Sequence, residues 1–512
     1  MRRVDASLSV KLMRAVSEPR SLAHLEDAGV LDRVAQAQGS VNGASIGGTV
    51  IYLSSVWSTR LQGIAALAIL ARFHWWLAVV LGAGQVVSLA WRRRHWLEVT
   101  KVVFDRTDSM RKADYVRNLA IKPEAAKESQ VFSLAGWLVD RYRTSFLDTM
   151  QPVWRSRRSG ARAALGVSVL MLALDAAALA LVARAGVDAT ITLGAAVVYA
   201  QAVLATGALG SFDLSNVRVE DGLSSLRVFR RMETELPAAA VALGGHLPAT
   251  GLPEHVIRFE GVRFRYPGRD EDVFDGLDLD IHAGQSLAIV GVNGAGKTTL
   301  VKLLARLYDV DGGRITVDGI DLREFDPIAW QRRVAAIFQD FVKYPVSAHD
   351  NIAFGALAHA GDRAGVEHAA RRAGAHDVVA ALPGGWDTVL NRQFTGGAEL
   401  SGGEWQRIAL ARALFAVSAG AGVLVLDEPT ASLDVRAETG LYDRFLDLTR
   451  GVTTIVVSHR FSTVRRAERI VVLEHGRVVE DGGHDSLLRA GGHYAHMYTL
   501  QASRFWSDNG DG

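Results

Sequence analysis

The sequence predicts a multidomain chain: an all-α, membrane-spanning N-terminal half followed by an α/β half built on a largely parallel sheet. Three observations carry this. Four long apolar stretches lie between residues 44 and 212. A short apolar run, a glycine-rich loop and a helical run follow one another over residues 286–304. Further apolar runs of strand length alternate with helical patterns toward the C-terminus, the order that builds a parallel sheet. The totals agree. A chain of 512 residues exceeds a single hydrophobic core, and the mean hydropathy of +0.12 calls for an apolar region somewhere. Lys and Arg number 57 against 55 Asp and Glu, so no nucleic-acid partner is expected. No cysteine is present, which rules out disulfides, thiolate metal sites and thiol catalysis.

Residues 1–42 read as short amphipathic helices, with Leu22, Leu25, Val30, Leu31 and Val34 set between Glu26, Asp27, Asp32 and Arg33. Residues 44–70 carry one basic residue, Arg60, and residues 73–91 carry no Lys, Arg, Asp or Glu. Each is near the roughly 20 residues that cross a bilayer as a helix. Trp75, Trp76, Trp91 and Trp96 stand where headgroups are expected. Residues 92–160 are helical in pattern and rich in Arg and Lys, which places them in the cytoplasm with both termini. Spans at 161–183 and 187–212 complete a transmembrane domain over 1–215. An ionisable group inside a span costs about 2.5–3.5 kcal/mol. Arg60 and Asp175 therefore either line a translocation pathway, or Arg60 snorkels while Asp175 pairs with another helix. Residues 216–252 read as a helix ending near Leu236 and a Gly- and Pro-rich linker, followed by an α/β domain at 253–500 and a tail at 501–512.

The α/β domain is expected to open with strands at 257–261, 262–266 and 277–281. Ser286-Leu-Ala-Ile-Val290 is then a buried strand, and Gly291-Val292-Asn293-Gly294-Ala295-Gly296-Lys297-Thr298-Thr299 a P-loop leading into a helix. Glycines let successive N–H groups face a phosphate, the helix adds its positive end, and Lys297 supplies a charge for the outer phosphates. Thr298 is placed to bind Mg²⁺ through its hydroxyl. Further strands are expected at 334–338, 423–426, 454–457, 469–473 and 477–480, with a helical region at 362–382. The run at 423–426 delivers Asp427 and Glu428 to its carboxyl end, where ligands of such sheets bind. Asp427 can hold Mg²⁺ through water, and Glu428 can align or deprotonate an attacking water. Gln339 and His459, each at a strand end, can reach a γ-phosphate. Ser401-Gly402-Gly403 opens a helix and offers a second anion site.

The run Leu400-Ser-Gly-Gly-Glu-Trp-Gln-Arg-Ile-Ala-Leu-Ala-Arg412 resembles the signature sequence of ABC transporter ATPases. The P-loop, Gln339, Asp427-Glu428, Ser432-Leu433-Asp434 and His459 occur in that family's order, and the resemblance covers about residues 256–500. It implies ATP and Mg²⁺ as cofactors, with Gly291, Asn293, Gly294, Ala295, Gly296, Lys297, Thr298 and Thr299 around the phosphates. Tyr266 would stack on adenine, and Thr298, Gln339 and Asp427 would serve the metal. Glu428 would be the general base, His459 the switch histidine and Gln339 the γ-phosphate sensor. Ser401, Gly402 and Gly403 would bind the ATP of an opposite subunit, so the resemblance implies a homodimer or a heterodimer with another half-transporter.

Less specifically, the N-terminal half is similar to exporters whose membrane domain is fused ahead of the ATPase. Residues 130–136 look like the loop between their fourth and fifth helices, and 20–35 like the loop before the third. Such exporters carry two further spans ahead of these four, so the expectation is either a shortened N-terminus or a protein that works with fewer helices. The stretch 390–397 departs from the acidic run many exporters place before the signature. The function implied is ATP-driven efflux of a solute across the cytoplasmic membrane. The alternative is a membrane-tethered regulatory ATPase.

Overall fold

The computed structural model describes residues 2–19, 21–37, 46–104, 107–122, 125–240, 244–427, 449–458 and 461–507. The chain divides into two compact units: residues 1–17 with 28–236, and residues 18–27 with 237–512.

The first unit is helical. Helix α1 (Arg2–Ser17) is followed, after α2 (Ala23–Glu26) of the other unit, by α3 (Ala28–Ala37), α4 (Ile46–Ala71), α5 (Trp75–Phe104), α6 (Thr107–Ile121) and α7 (Ala126–Val131). Helices α8 (Ala135–Val187), α9 (Leu193–Gly210) and α10 (Leu214–Ala240) complete it. The four expected spans fall in α4, α5, α8 and α9, but two of these helices run far past the apolar stretch. The span expected at 161–183 is the second part of a 53-residue helix, which runs on through Pro152 and Gly160. By length and composition, two helical stretches among the described residues, Ala135–Val187 and Leu193–Glu235, are long and apolar enough to cross a membrane.

Leu70, Leu77, Leu81, Ala178, Ala202 and Val203 form an internal core among α4, α5, α8 and α9. Large apolar side chains such as Trp57, Leu61, Ile64, Leu172 and Leu204 stand on the outside, as lipid-facing surfaces do. Helix α4 lies close along α9 because Gly63 has no side chain: a Cβ there would sit 2.6 Å from the Leu209 backbone nitrogen. A second core of Leu12, Val30, Ala37, Phe229 and Met232 ties α1 and α3 to α10.

The second unit holds two sheets. An antiparallel sheet has the order β2 (Phe274–His282), β1 (Val256–Phe264), β4 (Gly312–Val317), β5 (Ile320–Asp321). A six-stranded sheet has the order β10 (Arg477–Gly482), β9 (Arg469–Glu474), β3 (Ser286–Val290), β8 (Thr453–Val457), β7 (Val423–Asp427), β6 (Val334–Ile337). Its pairings are parallel except β9 with β10, as the alternation of strands and helices predicts. The two strands expected at 257–261 and 262–266 are one strand. Gly261, at φ +55°, takes up a bulge at which the register on β2 shifts, so the alternation restarts without a turn. Strands β4 and β5 escaped the sequence reading, since their short alternation opens on Gly312-Gly313 and is crossed by Arg314. The helical region expected at 362–382 is α14 (Arg363–Arg372) and α15 (His376–Ala380).

Residues 18–27, expected in the membrane domain, belong instead to this second unit. The Leu22 N–H donates to the Leu307 carbonyl at 2.9 Å, and Leu22 and Ala23 pack against the core between the two sheets. Ten mostly polar residues are too few to announce such docking through periodicity.

Candidate functional site: a phosphate cradle at the strand ends

Strand β3 is buried along Leu287–Val290 and turns at Gly291 into helix α11 (Lys297–Leu304). The loop glycines are required by space. A Cβ on Gly291 would strike the Leu473 carbonyl oxygen, and one on Gly296, at φ +101°, would lie 2.6 Å from the Phe274 ring. Gly296 is the N-cap of α11, so the free N–H groups of the first turn open into the loop. Gly294, at φ +86°, leaves open space where a side chain would stand. Lys297 is buried and folds back, its Nζ donating to the Gly291 carbonyl at 2.8 Å and the Val292 carbonyl at 3.1 Å. Thr298 is exposed and Thr299 buried. The Thr299 hydroxyl lies 3.1 Å from the Tyr266 hydroxyl, which fixes the Tyr266 ring beside α11.

Register brings the other groups to the same edge. Ile289 of β3 is level with Val457 of β8, and Val457 is level with Asp427 of β7. Leu426 of β7 is level with Ile337 of β6, two residues before Gln339. The carboxyl ends of β3, β8, β7 and β6 thus gather the P-loop, Ser458, Asp427 and Gln339. Asp427 is 1% exposed, and Gln339 is exposed. Glu428, His459 and Ser432-Leu433-Asp434 lie outside the described residues.

A phosphate chain with Mg²⁺ fits this donor set. The cradle is closed to side chains at Gly291 and Gly296, a cation and backbone N–H groups meet the anion, and a hydroxyl, an amide and a carboxylate stand by as oxygen ligands. Among the described residues no group of three or more His, Cys, Asp or Glu could hold a metal by itself. A cation here would depend on phosphate oxygens.

Ser401-Gly402-Gly403 is placed elsewhere. Ser401 caps α16 (Gly402–Ser418), whose Ile408, Ala409 and Leu410 are buried in the core formed with β6 and β7, α13 (Ala348–Ala353) and α14, whereas α11 is buried in the core between the sheets. Alternate residues of β7 divide between the two cores, Val423 and Val425 with α11 and Leu424 and Leu426 with α16, so the P-loop helix and the signature helix pack on opposite faces of the six-stranded sheet. The Ser401 N–H donates to a Glu404 carboxylate oxygen at 2.7 Å while Ser401 Oγ accepts from the Glu404 N–H at 3.4 Å, a capping box. That N–H, then the Ser401 hydroxyl, hold the Glu404 carboxyl below the usual range. A depressed carboxyl stabilises the folded state in full above its ordinary value of 4.5, and loses the contribution as pH falls through its folded value. Glu404→Gln is expected to flatten acid unfolding in that window and to leave stability at neutral pH lower, as read by thermal unfolding against pH.

The membrane-embedded expectations divide. Arg60 Nη1 donates to the Ala208 carbonyl at 3.0 Å and to that of Leu209, and Nη2 donates to the Ser211 carbonyl at 2.8 Å and to Asn216 Oδ1 at 3.0 Å. Arg60 therefore satisfies the free carbonyls at the end of α9. Asp175 does not find the expected partner: its Oδ1 is buried with no hydrogen bond among the described residues.

Residues 274–431 match the family described as ABC transporter. An ATP-dependent lipid A-core flippase of Chromohalobacter salexigens is 40% identical over 287 residues, covering 56% of this chain and 47% of that protein. The same-named protein of Syntrophus aciditrophicus is 42% identical over 245 residues, covering 48% and 39%. Multidrug resistance protein 1 of Entamoeba histolytica is 36% identical over 310 residues, covering 60% and 23%. The chain spans less than half the length of these curated relatives. A solved structure of a bacterial Atm1-family ABC exporter with ATP bound superposes with a TM-score of 0.79 at 26% identity, over 98% of this chain and 86% of that one. The chain thus carries a segment that matches the ABC transporter family and has the fold of an ABC exporter.

Proposed function

We propose that the chain is one half of an ATP-driven exporter, anchored in the cytoplasmic membrane with its ATPase unit in the cytoplasm. The observation that carries this is the separation of the two anion sites. The P-loop and the Ser401 turn are each well formed and are rooted in different cores, so one chain offers half of each nucleotide site. A partner, either a second copy or another half-transporter, completes both. In that pair ATP lies between the P-loop of one chain and Ser401, Gly402 and Gly403 of the other. Tyr266 stacks on the base, Lys297 and the N–H groups after Gly294 hold the phosphates, and Glu428 orients the attacking water while His459 and Gln339 face the γ-phosphate. Thr298, Gln339 and Asp427 would hold Mg²⁺, which supplies charge neutralisation on the phosphate oxygens. ATP favours the closed pair, hydrolysis releases it, and the alternation is a population shift that moves a solute outward.

Two inactive variants test the pairing. Lys297→Ala and Ser401→Arg are each expected to abolish tight ATP trapping alone. Co-reconstituted, they restore it in the mixed pair, where one intact P-loop faces one intact turn. Mixtures as inert as the single variants would remove the pairing of like chains. ATP-dependent uptake into inside-out vesicles tests export itself, and ATPase activity without uptake would favour the tethered-ATPase reading.

A further inference from the structure

Tyr266 is held by more than its hydroxyl. The Lys302 ammonium on α11 lies 5.0 Å from the Tyr266 ring centroid and 5.7 Å from that of Tyr308. The two rings meet edge to face at 5.5 Å. Lys302 in turn pairs with Glu26 at 3.9 Å, the last residue of α2. Glu26 belongs to the ten residues docked on the ATPase unit while their neighbours on either side in the chain belong to the helical unit. Burial pushes the ionisation of Tyr308 up, and the Glu26 carboxylate adds to the shift, so the phenol stays neutral and the ring remains an apolar wall.

We propose that Glu26 and Lys302 are positioning residues for the nucleotide base: Glu26 holds the Lys302 ammonium on the Tyr266 face, and that contact fixes the ring on which the purine stacks. The inference rests on the reading of Tyr266 as the base platform. A lysine with four rotatable bonds over an aromatic face is a loose contact unless its head is anchored, and a cation so placed contributes more as it is held and desolvated. Glu26 supplies the anchor and sits on the segment secured by the Leu22–Leu307 hydrogen bond. Base affinity therefore reports whether residues 18–27 are seated. By reciprocity, a bound purine favours the seated segment by the same factor.

The test compares ATP with inorganic tripolyphosphate, which has the phosphates and no base, as ligands of the full chain in lipid nanodiscs. Lys302→Met is expected to weaken ATP about three- to tenfold and to leave tripolyphosphate unchanged. Lys302→Arg retains the cation and should restore ATP affinity. Glu26→Gln should weaken ATP less, and the double variant should be no worse than Lys302→Met alone, since Glu26 acts through Lys302. Equal loss for both ligands, or additive effects in the double variant, would overturn the proposal by making the pair merely structural. Tyr266→Ala separates the two readings. If it weakens ATP and the Lys302 and Glu26 variants do not, the positioning role alone is lost. If it leaves ATP unchanged, the base platform itself is wrong and the proposal falls with it.

Discussion

Glu428→Gln is expected to bind ATP, to lose about 10²–10⁴-fold in turnover, and to accumulate as a closed pair. The strand before Glu428 is β7. Its five residues are fully buried and end on Asp427, level with Val457 at the end of β8, at the edge where the P-loop opens. In the proposed role the Glu428 carboxylate takes a proton from water, and an amide of the same shape cannot. Phosphate and metal contacts lie on other residues and survive the change. Turnover and ATP trapping measured on one preparation decide the matter: unchanged turnover would mean that the general base is another group, and loss of ATP binding would mean that Glu428 belongs to the binding set.

Arg306→Met is expected to destabilise the ATPase unit by about 3 kcal/mol, with little change in turnover per folded molecule. Arg306 is fully buried, just beyond the end of α11, in a left-handed backbone conformation at φ +49°. Its Nη1 donates to the Phe325 carbonyl at 2.5 Å, and its Nη2 to the carbonyls of Gly244 at 2.6 Å and Arg323 at 3.2 Å. Asp309 lies 3.3 Å from Nε. Methionine fills much of the volume but leaves the buried Phe325 carbonyl and the part-buried carbonyls of Gly244 and Arg323 without their charged donor, the expensive half of a broken hydrogen bond. Thermal unfolding of the reconstituted chain, read beside the specific ATPase rate, checks both parts. A drop in rate with no shift in unfolding would mean that Arg306 acts on the nucleotide.

The P-loop was legible because Gly291 and Gly296 are dictated by space around Leu473 and Phe274, and such constraints leave a sharp pattern in the residues. The buried strands β3, β7 and β8 were legible for a related reason: strands covered on both faces admit only apolar side chains. Arg60 was seen but not understood. Its cost inside a span is visible in one dimension, whereas the four oxygens that satisfy it come from residues 208–216, far along the chain. Strand β4 was missed because a short strand with one face in solvent can carry Arg314 outward, here onto Glu260 at 2.5 Å, and still pair. The place of Glu26 was missed because a single ion pair between distant residues has no signature in either neighbourhood.

The docking of residues 18–27 makes the ATPase unit discontinuous in the gene. A soluble fragment cut before Pro253 would take the sheets, the P-loop and the signature helix, yet leave the Leu307 carbonyl and the footprint of Leu22 and Ala23 naked. Such a piece should stick to itself, and a synthetic peptide spanning Glu18–Asp27 should rescue its solubility. Anyone dissecting this protein therefore has to carry a scrap of its beginning along with its end.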